Sequence, residues 1–498
     1  MSSIGQMKPS SKHRRLAGIV AVAALTAACT ASPPAASPPA APGAQLWASG
    51  YDSQFGNPSP RAIAASPHGS AVFVTGAIGG HSSAADYATV GYDSATGRQR
   101  WARLYNGPGK SVDMPAGIAV SPDGRIVFVT GTSGPFSGAH DYVTIAYSAS
   151  TGRRLWLRRY KAPAGSAVAR ALVVSPDGKT VFVTGSSGGG YTIFNSTGGK
   201  YTTIAYNTAT GARRWLSHFG QADTGGNPNN MAISPDGETL YVTGQGGRPV
   251  LHDQLTIHLD YLTVAYNAAT GATRWFTHYN GQAKGIDKAN AVVVAPDGKT
   301  VYVTGSSRGR SSDGDFATVA YNAATGAQRW VGRYNGPGNA FDSGGSLAIT
   351  PDGRTLIVNG LSHPPSSGRG KVLGYATVAY NAATGAPLWT RRTLGYPGIY
   401  ILNAQTLAIS PDSSTVYVTG VNAVHCCKFD YATVAYAIDG GTTQWLSLYN
   451  GPNRYKGPID NSTQAIALAL SPDGSTLYVT GVIVRVKFGG FGTVAYRA

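Results

Sequence analysis

AVVVAPDGKTVYVTGSSRGRSSDGDFATVAYNAATGAQRWVGRYNGPG, residues 291–338, holds four strand-and-turn pieces in a row. AVVVAPDG closes on Pro-Asp-Gly, where proline presets φ for a type I turn and glycine ends it. KTVYVTG follows as a second short apolar run. In DFATVAYNAATG, Ala317, Val319 and Tyr321 alternate with Phe316, Thr318 and Ala320, the period-two signature of a strand. AQRWVGRYNGPG supplies the fourth piece. Four antiparallel strands in chain order make one blade of a β-propeller.

The unit repeats along the chain. DYLTVAYNAATGATRW (residues 260–275) and DYVTIAYSASTGRRLW (residues 141–156) copy its third and fourth pieces. The first turn recurs at Pro67, Pro122, Pro176, Pro235, Pro296, Pro351, Pro411 and Pro472, at intervals of 54 to 61 residues, which is propeller-blade spacing. Trp47, Trp101, Trp156, Trp215, Trp275, Trp330, Trp389 and Trp445 are all 8 tryptophans of the chain, one per fourth strand. A large aromatic used once per repeat and nowhere else reads as a packing residue between blades. The phase of the ends then fixes the closure. The last unit stops at GTVAYRA before a fourth strand, while AQLWASGY, residues 44–51, is a fourth strand with no predecessor. The expected fold is all-β, an eight-bladed propeller of four-stranded blades over residues 44–498, its ring closed by the N-terminal strand so that no sheet edge is left over.

The N-terminus is different in kind. Lys8, Lys12, Arg14 and Arg15 precede the apolar run LAGIVAVAALTAA, too short to span a bilayer and typical of a secretory signal over residues 1–28. Cys29 opens an uncharged Ala/Pro/Ser tether over residues 29–43. The order signal, cysteine, tether, domain resembles bacterial lipoproteins, which implies lipidation of Cys29, an extracytoplasmic site and a membrane anchor; cleavage near Ala28 and secretion is the alternative.

Ala265, Asn267, Thr270, Gly271 and Trp275 resemble the tryptophan-docking repeat of the quinoprotein propellers and their non-catalytic relatives. The resemblance implies the fold; both enzymes and scaffolds carry it. Cys426 and Cys427 are a candidate disulfide, since an exported chain meets an oxidising compartment and catalytic quinoproteins carry a neighbouring-cysteine bridge. Those enzymes also hold Ca2+ through Glu, Asn and Asp, whereas the single glutamate here, Glu238, follows a Pro-Asp-Gly turn. No quinone cofactor is therefore expected, and Ca2+ stays open as a ligand of rim carboxylates.

All length variation falls on one rim: inserts after Gly185, Gly244, Gly360 and Gly420. Function concentrates on long loops held by a rigid frame. Candidate groups there are Asp113, Asp287, Asp342 and Asp460 in the links between blades, and the insert histidines His252 and His258; the alternatives are turn caps and solvated loop residues. The chain carries a net charge of +17, and loss of residues 1–28 leaves +13, much of it Arg near the tryptophans, as Arg153, Arg154, Arg158 and Arg159. Placed on the outer wall, these would favour anionic envelope polymers. The expected function is a monomeric binding scaffold for protein or envelope glycan, with no nucleic-acid partner; a quinone-dependent dehydrogenase or a lactonase or hydrolase is the alternative.

Overall fold

The computed structural model describes residues 40–52, 58–79, 85–108, 112–135, 138–192, 195–197, 199–220, 226–248, 258–283, 285–337, 339–363, 372–397, 406–425, 428–451, 461–483 and 489–498. All regular structure among them is β-strand organised as eight four-stranded antiparallel blades, with a short parallel pairing of Lys428 and Phe429 to Asn461 and Ser462 between blades seven and eight, and residues 40–498 form one unit. In order the blades span Ser59–Tyr105, Val112–Tyr160, Ser166–Phe219, Asn227–Tyr279, Asp287–Tyr334, Asp342–Pro397, Thr406–Tyr449 and Asn461–Arg497, the last completed by Gln45–Asp52. Each blade's first strand touches the first strands of both neighbours, and blade one touches blade eight, so these strands ring the centre. Blade three carries an addition, a three-residue strand Asn195–Thr197 paired with its long second strand Thr180–Thr192.

The repeat's residue choices have local causes. The Thr of Val-Thr-Gly and the Thr of the third strand meet across the ladder, as Thr304 with Thr318 and Thr130 with Thr144, both at 3.0 Å and fully buried. Each hydroxyl thereby satisfies the other inside an apolar seam, where an unpaired one costs roughly 1–3 kcal/mol. In blade six the pair is Asn359 with Thr377, at 3.3 Å. The adjoining glycine is forced by packing: a Cβ on Gly305 would lie 1.9 Å from the Lys288 carbonyl oxygen.

The tryptophans sit in the seams. Trp101 Nε1 donates to Ala149 O, Trp156 to Thr208 O and Trp389 to Ile438 O, each at 2.7–2.8 Å and each onto the next blade. Trp47 does the same across the closure, donating to Ser94 O at 2.8 Å and lying 5.9 Å from the Tyr478 ring. Third-strand tyrosines add a second link: Tyr142 OH donates to Thr202 O at 3.3 Å and Tyr261 OH to Ala317 O at 3.0 Å.

The eighth blade repeats the motif across a gap in the chain. In blade four, Gly271 N bonds Asn267 O and Asn267 N bonds Ala272 O, both at 2.8 Å. In blade eight, Gly43 N bonds Arg497 O at 2.8 Å and Arg497 N bonds Ala44 O at 2.9 Å. Gly43 keeps the left-handed φ of 77° and lies against the Trp445 ring, as Gly271 lies against Trp215. Gln45–Asp52 then pairs antiparallel with Gly490–Arg497.

Candidate binding rim and blade seams

Because strands alternate direction, the Pro-Asp-Gly and Ala-Thr-Gly turns share one rim and the variable inserts share the other. On the short-turn rim the aspartates cap their own turns: Asp177 Oδ1 accepts from Ser175 Oγ and from Lys179 N. Cys29, His252, Cys426, Cys427 and Asp460 lie outside the described residues, and His258 opens a third strand opposite Arg248.

Asp113, Asp287 and Asp342 fall in first strands rather than in the links, and all are fully buried. Each Oδ2 accepts the backbone N–H of a glycine in the preceding turn: Gly107 at 2.7 Å, Gly281 at 2.6 Å and Gly336 at 2.5 Å. Burial pushes the Asp287 and Asp342 carboxyls above the usual range against that hydrogen bond. Among the described residues no three His, Cys, Asp or Glu side chains gather as metal ligands. Glu238 stands on the short-turn rim, its amide on Asp236 Oδ1.

Arg153, Arg154 and Arg159 are exposed and Arg158 is half-buried, and the last two also reach neighbouring blades. Arg158 Nε and Nη2 each donate at 2.8 Å to the carbonyls of Gly211 and Thr210, bracing the next blade's turn. Arg103 and Arg391 repeat the contact on Gly152 and Gly441. Arg159, one residue further on, runs along the seam toward the variable rim: Nη2 meets Asp141 Oδ2 at 3.1 Å and Nη1 meets Tyr105 OH of blade one at 2.6 Å. Blade five copies this with Arg333 on Asp315 Oδ2 at 2.7 Å, Ser307 Oγ at 2.9 Å and Tyr279 OH at 3.1 Å. Long Arg stems cover apolar surface while the planar head reaches a neighbour, so outermost strands need not present their charge outward. The signal was in the sequence: Asp precedes the Tyr or Phe of the third strand wherever Arg or His pairs with it three residues after Trp, at 141/159, 260/278 and 315/333.

The first strands of blades one, three, four and five carry a bulge at one position, occupied by Arg61, Arg170, Asn229 and Asn290. Asn229 Nδ2 donates to Ala289 O at 2.6 Å and Asn290 Nδ2 to Gly344 O at 2.8 Å, tying consecutive blades round the centre. Burial, and then Arg170, lowers the Lys288 pKa.

Eight Trp-docked blades with buried Thr pairs define a propeller of the quinoprotein-like class. The family profile of the outer membrane protein assembly factor BamB matches residues 37–203 and again residues 200–480. The chain belongs to that family.

Among solved structures, a quinohemoprotein alcohol dehydrogenase from Pseudomonas putida is 15% identical, with a TM-score of 0.54, over 91% of this chain and 76% of that one. A europium-containing methanol dehydrogenase is 13% identical, with a TM-score of 0.53, over 91% and 93%. BamB from Moraxella catarrhalis is 15% identical, with a TM-score of 0.48, over 91% and 99%. At these identities the likeness is one of fold. No curated protein matches in sequence.

Proposed function

We propose that the chain is an exported, lipid-anchored scaffold whose variable rim binds a protein partner at the cell envelope. Membership of a family described by an outer membrane assembly factor supports a protein partner over a glycan. The signal-like residues 1–28, Cys29 and the tether support the anchor. The observation that carries the reading is the occupation of the polar groups at the seams: the buried Asp113, Asp287 and Asp342 anchor the links between blades, and Arg159 and Arg333 hold one blade to its neighbour. A frame fixed in this way presents different inserts at a constant radius, which suits recognition of an irregular surface.

Photo-crosslinking in envelope preparations tests this. A crosslinker at Arg308 or His363 on the variable rim is expected to trap a discrete partner that the same group at Asp297 or Thr384 on the short-turn rim does not. Trapping from the short-turn positions alone would overturn the assignment. Partition of Cys29→Ala into the soluble fraction tests the anchor, and unchanged membrane association would count against it.

A further inference from the structure

The chain contains its own reference for one vacant position. Arg159 of blade two places Nε at 3.3 Å and Nη2 at 3.1 Å from Asp141 Oδ2. Arg333 of blade five places the same nitrogens at 3.2 Å and 2.7 Å from Asp315 Oδ2. Strand register fixes the equivalent position in blade six: Asp141 faces Ser133, Asp315 faces Ser307, and Gly374 faces Ser362. The arginine is retained, as Arg392, but the carboxylate that blades two and five give it is absent from blade six.

The consequence is visible at Arg392. Its Nη2 keeps the serine contact, at 3.3 Å from Ser362 Oγ, while its Nε is buried and has no hydrogen-bond partner. A buried, unsatisfied donor on a charged group costs roughly 1–3 kcal/mol or more. Asp342 lies close enough for its charge to interact with that of Arg392, but it gives Nε no hydrogen bond, and its counterparts Asp113 and Asp287 stand in blades two and five in addition to Asp141 and Asp315. Its Oδ2 is held by the Gly336 amide, as theirs are by Gly107 and Gly281.

We propose that Arg392 and Ser362 form a subsite for a carboxylate supplied by the protein partner, an Asp or Glu side chain or a C-terminal carboxyl that takes the place of the Asp replaced by Gly374. The assignment deepens the scaffold reading and rests on the variable rim being its binding face. The chemistry is specified by the two filled copies: a single planar oxyanion accepting Nε–H and Nη2–H together, with a serine hydroxyl alongside, is what the guanidinium fork recognises best. The carboxylate also has the size of the side chain that glycine lacks.

The test uses the full chain and the guanidinium Nε–H resonances in 15N NMR, with sodium acetate and inorganic phosphate as probes. Acetate is expected to shift the Arg392 Nε–H saturably toward the positions of Arg159 and Arg333, which stay still. Gly374→Asp is expected to place the Arg392 signal there without acetate and to abolish the titration. A silent Arg392 resonance in the unmodified chain, a shift that persists in Gly374→Asp, or a response to phosphate that matches or exceeds that to acetate would each overturn the proposal. The unmodified titration needs no variant to fold. Loss of rim crosslinking with the acetate shift intact counts against the scaffold reading alone; a silent titration with rim crosslinking intact counts against the subsite alone.

Discussion

The Gly43 amide donates to the Arg497 carbonyl at 2.8 Å, so a turn that is covalent in the other blades is assembled in blade eight from residues more than 450 positions apart in sequence. All three of the turn's backbone bonds survive: Ala498 N reaches Ser475 O at 3.0 Å, as Ala268 N reaches Glu238 O at 2.9 Å. Stability of the whole ring is therefore sensitive to a handful of residues near position 45.

Trp47→Ala removes a ring that is 8% exposed, together with its bond to Ser94 O. The expected cost is about 3–5 kcal/mol, the usual range for a buried Trp. Chemical denaturation of the two proteins measures it, and superimposable curves would mean that the closure is not part of the cooperative unit.

Gly43→Ala tests the assembled turn itself. At a φ of 77° and with the new Cβ 2.9 Å from the Trp445 ring, alanine is expected to cost more than about 1 kcal/mol. Gly69→Ala has the same sign of φ, 66°, but open space around it, so its loss in melting temperature should be the smaller of the two.

Arg333→Met strands the carboxylate of Asp315, whose side chain is 7% exposed. Breaking a buried pair from one side costs roughly 3–5 kcal/mol. Arg125→Met breaks a pair whose side chains are 84% and 57% exposed, and is expected to change stability by less than about 1 kcal/mol. Equal effects from the two variants would remove Arg333 from the list of blade-to-blade ties.

The pH response should carry two opposite signs. Hydrogen bonds from Ser471 and Ser475 hold Asp473 down at about 2, so the folded state binds fewer protons than the unfolded one between pH 2 and 4. Its stabilisation is present above the unfolded pKa and lost as pH falls through about 2; Asp473→Asn should flatten the stability curve there. Burial raises Asp287, so its folded form keeps the proton longer and its contribution declines as pH rises above the ordinary carboxylate range. Asp287→Asn should remove that decline, read from unfolding midpoints between pH 4 and 7.

What the sequence made legible follows from how the information is stored. Blade count, strand order and closure rest on residue types recurring at fixed spacing, and Pro296, Thr304, Gly326 and Trp330 each act through neighbours in the same repeat or the next. The rim chemistry depends instead on register. Asp141 and Arg159 meet because Tyr142 pairs with Tyr160 across a ladder that contains a bulge, and no linear spacing shows which of the four arginines around Trp156 meets the carboxylate. Asp113, Asp287 and Asp342 are conspicuous because they recur, yet the recurrence marks a turn anchor repeated in blades two, five and six rather than a shared centre.

The pairing of Gln45–Asp52 with Gly490–Arg497 also orders events in time. The strand that closes the ring is made before any blade and must wait, with its apolar Trp47 unpaired, until the final strand has been made. Contacts so distant in sequence form late, because loop-closure entropy must be overcome before they return any stabilisation. During that interval blade eight exposes an open edge and a chaperone-accessible strand. Maturation of a ring of this kind is limited by its last few residues, and a ribosome that stalls before residue 490 releases seven blades that cannot close.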